Sequence, residues 1–432
     1  MTNVELFVPL LSLISVMLVI NRLYHEIRQS DDRLVASFIS LLIPAILLMN
    51  SSIVPANITY GVMLIIVALF VLIIDLSVNK KTSTNVTGRG RSAILLISII
   101  PLWMWFVNIL QNPELPYLLL LGRLLPGIFL LVFTNLVINT RLSWRLPALS
   151  FVVGSLFVNI TALFAASAWR PCDQFKCGPF GALYIGGYNT ENSLAMFSGA
   201  AFICSLAALS GYRRFLICLT FLLCLFATES RTSQLATLFG TAAFVMSTLI
   251  INKTGWRRKN VWAICFALFS TLSLSLVGLF LIMTSEPTSL SNRGNTWIAG
   301  IRALGDAWPV GLGIDRWVFY QSIGIVPPLF PHSEYLILIF GGGIFALALF
   351  AFILFKTILA GNIGLLGNAL IIGFVIYSLV AGLTEVIWNP LALDGGLVFP
   401  AMFLLFLASG PGGATLSKRR ERRHAEFSPV TK

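Results

Sequence analysis

Four residues have side chains suited to bond chemistry: Arg231, Arg293, His332 and Glu334. An imidazole titrates near neutrality and can take a proton from a hydroxyl. A guanidinium fork matches phosphate oxygens in charge and geometry. Histidines occur only at positions 25, 332 and 424. His332 lies in Pro331-His332-Ser333-Glu334-Tyr335, at the entry to an apolar run that continues into Gly341-Gly342-Gly343. Isolated histidines are mostly structural, but this one follows a loop of arginines and sits beside a helix start. Glu334 either serves as the base or orients the ring. The glycines beyond it let another helix pack closely. Arg231 lies in Glu229-Ser230-Arg231-Thr232-Ser233, between two apolar runs. A charge at a span end either snorkels or works. Arginine at an outer end serves no orientation signal, which favours the functional reading. Arg293 is a second candidate for a phosphate clamp. Arg302 and Arg316 read as a solvated or headgroup-contacting face.

These residues belong to two polar stretches. Residues 285–334 form the longest polar interruption in the chain. Within it, Ile298, Ile301 and Leu304 have helical spacing, with Trp297 and Trp308 nearby. That predicts a short amphipathic helix over Asn295–Ala307, lying at a membrane interface. Pro309 and Gly311-Leu312-Gly313 then turn the chain. The second stretch is Cys172–Asn192, CDQFKCGPFGALYIGGYNTEN. Its glycines permit turns and close backbone approach, and Asn189 and Asn192 can donate and accept hydrogen bonds. It reads equally as a recognition loop or as a disulfide-closed surface loop with a helix starting at Asn189 or Thr190. Cys172 and Cys177 pair if the loop faces an oxidising compartment. Cys204, Cys218, Cys224 and Cys265 fall in apolar runs and read as small core residues.

The scaffold follows from composition. The 432 residues are 57% hydrophobic and 11% charged, against about 25% charged for a soluble domain. Long continuous apolar runs, without the alternation of a barrel, predict an all-α polytopic membrane protein of about 12–13 transmembrane helices, with one large outer loop late in the chain. The spans are expected near 3–21, 34–50, 57–77, 92–110, 117–138, 147–168, 192–211, 215–229, 233–251, 261–284, 335–355, 364–386 and 396–410. They form a single domain over 1–410, including the 285–334 loop, followed by a basic tail at 411–432. The net charge of +12 does not indicate nucleic acid. Most basic residues sit in alternate loops: around Arg22, Lys80, Arg141 and Arg145, Arg213 and Arg214, Lys253, Lys356, and in the tail from Lys418. That set reads as cytoplasmic. The opposite set is 51–56, 111–116, 169–191, 229–232, 285–334 and 387–395, which puts His332, the arginine candidates and the N-terminus outside. No Walker loop and no convincing metal spacing is present. Asp75 and Arg123 are the charges within spans that a transporter reading would need.

With these residues placed, the chain resembles the O-antigen ligase and Wzy-type polymerase superfamily of bacterial envelope glycan enzymes. The resemblance rests on the many-span layout with a late outer loop. It also rests on Ser230-Arg231, the segment Arg293 to Trp297, the turn Pro309 to Gly313, the run His332 to Leu336, and Asn192 to Ala195. The family usually has Asn after the histidine, where this chain has Ser333. The resemblance implies a metal-independent membrane glycosyltransferase without cofactors, working at the outer face of the bacterial inner membrane. Its donor would be a glycan on undecaprenyl pyrophosphate and its acceptor a sugar hydroxyl. Arg231 and Arg293 would hold the pyrophosphate, and His332 would take the acceptor proton, directly or through Glu334. Asn192, Trp297 and Tyr335 would be candidate glycan contacts. Partners would be membrane lipid, a chain-length regulator and export proteins. Polymerisation of repeat units is the leading expectation. Ligation of finished polymer to lipid A-core or another acceptor is second, and a glycan transporter or flippase is the alternative of another class.

Overall fold

The computed structural model describes residues 3–30, 32–49, 51, 88–138, 142–163, 168–172, 176–253, 269–270, 272–274, 276–287, 289–359 and 364–410. The expected span 57–77 with Asp75, the start of 261–284 with Cys265, and the basic tail 411–432 lie outside them. The described chain is almost entirely helical: α1 Asn3–Gln29, α2 Arg33–Leu48, α3 Gly88–Gln111, α4 Tyr117–Ile138, α5 Arg145–Thr161, α6 Glu191–Ala208, α7 Gly211–Thr228, α8 Arg231–Lys253, α9 Ser289–Leu304, α10 Ile314–Ser322, α11 Glu334–Leu359, α12 Leu365–Ala381 and α13 Val398–Ala408. Five helical segments are long and apolar enough to cross a membrane: Leu6–Gln29, Tyr117–Ile138, Gly211–Thr228, Arg231–Ile250 and Glu334–Leu359. Shorter apolar helices accompany them. Outward faces carry large exposed apolar side chains such as Leu41, Leu121, Phe215 and Phe280. A water-soluble fold would bury these, and lipid accepts them. The protein is an all-α polytopic membrane protein.

Two contacts set the geometry of the working end. Helices α8 and α12 cross glycine on glycine: a Cβ at Gly240 would lie 2.9 Å from the Gly373 carbonyl oxygen, and one at Gly373 would lie 2.8 Å from that of Gly240. Such close approach is how helices associate where lipid offers no hydrophobic drive. The pair is antiparallel, so the start of α8 and the loop after α12 share one end of the bundle. Helix α6 packs against both, and the Tyr377 hydroxyl donates to the Met196 carbonyl at 2.5 Å.

The second contact is a break in α11. Gly343 has φ +67°, a left-handed conformation inside an otherwise right-handed helix. The backbone groups freed by the break are taken up elsewhere. Ile344 N donates to the Trp308 carbonyl at 3.0 Å and Leu312 N to that of Phe340 at 2.7 Å. Trp103 Nε1 donates to the Gly342 carbonyl at 2.7 Å. The Pro309–Gly313 turn therefore plugs into the break. The Gly341-Gly342-Gly343 run admits α3, as expected, and admits this turn as well. Beyond the turn, Asp315 at the start of α10 meets Arg123 of α4 in a two-pronged pair, Nη2 to Oδ1 at 2.6 Å and Nε to Oδ2 at 3.2 Å. Asn108 Nδ2 adds a third donor at 2.8 Å. These bonds anchor the 285–334 segment to the bundle.

Candidate active site

Helix α9 begins earlier than its apolar spacing suggested, so Arg293 lies within the helix and not before it. Arg293 and Trp297 are then four residues apart and share a face. Each side chain fixes one part of the site. Trp297 is fully buried and its Nε1 donates to the Pro331 carbonyl at 2.8 Å. Arg293 Nη2 donates to Glu385 Oε1 at 2.7 Å, and Nη1 donates to the Thr384 carbonyl. Glu385 follows α12 in the loop that packs against residues 331–335.

That packing is made residue by residue. The Ser333 hydroxyl donates to the Gly382 carbonyl at 3.3 Å. The Glu334 amide donates to the carbonyls of Gly382 at 2.9 Å and Glu385 at 3.1 Å. The Tyr335 hydroxyl donates to the Leu379 carbonyl at 3.0 Å. Between these fixed points His332 is held at φ +49°. Few side chains adopt this conformation, and structures keep it where the surroundings impose it. Its Nδ1 faces Glu385 Oε2 at 3.9 Å, and the ring is 31% exposed.

Glu385 is the centre of charge. Burial on its own would raise its pKa, but the neighbouring His332 and the Arg293 guanidinium outweigh burial and hold the carboxyl below its usual range. It is therefore ionised at neutral pH. A carboxylate facing Nδ1 favours the tautomer with the proton there, leaving Nε2 with its lone pair.

Arg231 opens α8 at the same end. Its neighbour Thr232 meets Thr384, hydroxyl to hydroxyl at 2.5 Å, which ties the start of α8 to the residue beside Glu385. Arg231 is exposed, and among the described residues its guanidinium makes no hydrogen bond or ion pair. The two arginine candidates thus differ. Arg293 is committed to Glu385 and Thr384, while Arg231 has its donors free. The preceding turn has Glu229 at φ +51°, which directs the chain from α7 into α8.

The loop from Cys172 forms the neighbouring wall. Cys172 and Cys177 are disulfide-bonded. Trp169–Pro171 and Ala182–Tyr184 pair as a short antiparallel ribbon. The Gly178 position lies against the end of α7, where a Cβ would come 3.1 Å from the Ala227 carbonyl oxygen. Helix α6 starts after Thr190, whose hydroxyl accepts from the Ser193 amide at 3.1 Å. Lys176 bridges Glu191 and Asn192, at 3.2 Å to each.

Several sequence-based assignments change. The Glu334 carboxylate turns away from the imidazole: Oε2 accepts from the amides of Ile387 and Trp388, both at 3.0 Å. It anchors the loop that carries Glu385, and Glu385 takes the ring-facing position expected of it. Trp297 and Tyr335 are fully buried with their polar atoms bonded to backbone carbonyls. They position the His332 segment and offer no face to a sugar. Asn192 is tied to Lys176. Arg123, one of the charges a transporter reading needed, is neutralised by Asp315. Arg316 is less solvated than expected, donating to the Gln111 carbonyl at 2.8 Å. Glu385 itself was missed because 364–386 reads as one apolar span. A carboxylate at the outer end of such a run was the available signal. Among the described residues no three His, Cys, Asp or Glu side chains converge as a metal site.

Comparison with known families matches residues 216–351 to the family described as O-antigen ligase. The matched segment runs from α7 into α11 and contains Arg231, Arg293 and His332; Glu385 lies beyond it. No curated protein matches the chain. The resemblance read from the motifs is borne out over these residues: segment 216–351 is similar to the O-antigen ligase family, which supports a function of the ligase or polymerase type in general.

Proposed function

We propose that this chain, similar over residues 216–351 to a family of membrane glycosyltransferase-like enzymes, joins undecaprenyl-pyrophosphate-linked repeat units into an exopolysaccharide, capsule or O-antigen. The observation that carries the reading is the His332–Glu385–Arg293 cluster, at the end of the bundle where Thr384 meets Thr232, the neighbour of Arg231. His332 Nε2 takes the proton of an acceptor sugar hydroxyl as its oxygen bonds to the donor's anomeric carbon. The bond from that carbon to the pyrophosphate oxygen breaks, and the electron pair leaves with the pyrophosphate. Glu385 stabilises the imidazolium. Arg231 meets the departing charge, and fixed cations are most effective where charge develops. Arg293 holds Glu385 in place and adds positive potential. The reaction needs an end of the bundle at bilayer level, because donor and anchor are lipid. The opposite-facing loops that are poor in Lys and Arg support a periplasmic site in a bacterial inner membrane.

Ligation of finished polymer to a different acceptor uses the same chemistry and is the second reading, favoured by the similarity of residues 216–351 to the O-antigen ligase family. The test is the glycan profile of a strain lacking this gene, complemented with wild type or with His332→Ala. Single repeat units accumulating on the lipid carrier mean polymerase. Long polymer retained on the carrier means ligase. Normal polymer with His332→Ala removes the histidine from the mechanism.

A further inference from the structure

The far end of the bundle holds a second concentration of charge that glycan transfer does not use. A cavity of about 190 Å³ opens there, lined by Arg22, Arg145, Arg213 and Arg214, with Leu209 and Ser210 on its floor. Its position is fixed by helices that also build the candidate active site. Helix α6 runs from Glu191 at the active end to Ala208 at the cavity, and α12 runs back from Leu366 at the cavity toward Glu385. The 17 residues of α12 span about 25 Å, so the two sites are separate.

Loop arginines on one face are ordinary orientation signals. These four are distinguished by convergence and by unmet valence. The carboxylate that pairs with two of them, Glu26, is only 4% exposed and does not itself line the cavity. It stands 3.5 Å from Arg22 and 3.8 Å from Arg145. Charge-assisted hydrogen bonds are shorter, about 2.7–2.9 Å, so neither guanidinium fork is consumed. Arg145 Nε is buried with no hydrogen-bond partner. Arg214 uses Nε on the Leu209 carbonyl at 2.7 Å, which leaves its terminal nitrogens for the cavity. Arg213 donates from Nε to the Tyr212 hydroxyl at 3.4 Å and lies over the same ring, 5.8 Å from its centroid, which leaves its terminal nitrogens without a hydrogen-bond partner among the described residues. Among the described residues, four cations line the cavity and one carboxylate, Glu26, pairs with two of them, so positive charge is in excess there.

Backbone donors add to it. Helix α7 starts at the cavity after Ser210, whose side chain makes no capping bond, and α12 starts there after Gly364, which has none to offer. Free amides and the positive ends of two helix dipoles accompany the arginines.

We propose that this pocket binds a phosphate oxyanion, supplied by an anionic lipid headgroup or by a soluble phosphate, and that the bound anion locks α1, α5, α6, α7 and α12 together at this end. An anion placed among the four guanidiniums relieves their mutual repulsion and takes up the free α7 and α12 amides.

The test uses the full-length chain, purified in non-ionic detergent and delipidated. Tm is followed while titrating inorganic phosphate, phosphatidylglycerol, or phosphatidylcholine as the zwitterionic control. The expected result is a saturable rise in Tm with phosphate or phosphatidylglycerol and none with phosphatidylcholine. A rise with inorganic phosphate assigns a soluble ligand. A rise confined to phosphatidylglycerol assigns a headgroup. Arg213→Gln, which removes a side chain outside the core, should weaken the titration about tenfold, the usual worth of one charge-assisted hydrogen bond. Arg145→Gln/Arg213→Gln should abolish it. Arg231→Gln, at the other end, should leave the midpoint unchanged. The proposal is overturned if neither anion raises the Tm of the wild type, if phosphatidylcholine does so equally, if Arg213→Gln titrates like wild type, or if Arg231→Gln weakens binding as much as Arg213→Gln.

Discussion

Glu385→Gln isolates the charge that the candidate site is built around. The amide keeps the shape of the side chain and still offers an oxygen to Arg293 Nη2, which now donates at 2.7 Å. What disappears is the negative charge 3.9 Å from His332 Nδ1. Two unit charges at about 4 Å attract by about 4 kcal/mol at an effective dielectric of about 20. If the imidazolium is half formed in the transition state, about 2 kcal/mol of stabilisation is lost; if fully formed, about 4 kcal/mol. At about 1.36 kcal/mol per factor of ten, the rate of transfer falls by about 30-fold to 1,000-fold. The assay is single-turnover transfer from a lipid-pyrophosphate-linked glycan by purified enzyme, scored as product formed on either class of acceptor, with membrane yield and Tm measured in parallel. The double variant His332→Ala/Glu385→Gln should be no slower than His332→Ala alone, because residues acting through one another are not additive. A folded Glu385→Gln enzyme working within about a factor of three of wild type would refute the dyad, since that corresponds to well under 1 kcal/mol. A double variant much slower than His332→Ala would assign Glu385 a role independent of the ring.

Arg231→Lys and Arg293→Lys should both slow transfer, because a point charge does not reproduce the fork, but only Arg293→Lys should also lower Tm, since Arg293 bonds Thr384 and Glu385 while Arg231 is free; equal Tm losses would contradict that division. Gly343→Ala should cost at least about 2 kcal/mol and sharply reduce detergent-stable protein, because Gly343 has φ +67° and a Cβ there would overlap the Pro309 carbonyl; a monodisperse variant with wild-type Tm would show the break to be dispensable. Glu385 is held below its ordinary range, so the stability it contributes is present above the ordinary carboxylate pKa of about 4.3 and is lost as pH falls through its lower folded value. The Tm of wild type should therefore fall more steeply below about pH 4 than that of Glu385→Gln, and parallel acid limbs would count against the ion pair. Cys172→Ser should cost about 2 kcal/mol by the chain-entropy relation for so short a loop, with turnover of the surviving protein unchanged; loss of turnover at normal Tm would place the loop in the chemistry.

What the sequence made legible was whatever stands out against an apolar background. His332, Arg231 and Arg293 stood out as candidates because charge at the end of an apolar run is costly and therefore informative. The helices were legible by their length, the turn at Pro309 by its breakers, and the break at Glu229 by its polar residues. Side-chain direction and partner were not legible. Glu334 and Glu385 are both carboxylates at span ends, and adjacency to the histidine favoured the wrong one. Sequence neighbours on a helix start point to different sides, whereas Glu385 reaches the ring from 53 positions away. Trp297 and Tyr335 failed for a related reason. An aromatic near a membrane surface has the same one-dimensional signature whether it stacks on a sugar or is buried with its polar atom on a carbonyl.

The pairing Arg123–Asp315 shows how such errors are linked. Read alone, Arg123 in a span is an intramembrane charge and points toward transport. Read with Asp315, across 192 positions, it is an anchor that holds the Pro309–Gly313 turn in the break of α11. That turn follows the helix carrying Arg293, and the break lies nine residues into α11, the helix that begins at Glu334 just after His332. The contacts that hold His332, Glu385 and Arg293 therefore join segments that are distant in sequence. The strained His332 backbone is affordable because Trp297, Ser333, Glu334 and Tyr335 each fix one neighbouring atom. Preorganisation of this kind matters most for a reaction whose leaving group is heavily charged. In the proposed transfer the imidazole, the carboxylate and the guanidiniums must already be in place as charge develops, because preorganised groups need no reorganisation at the moment of reaction.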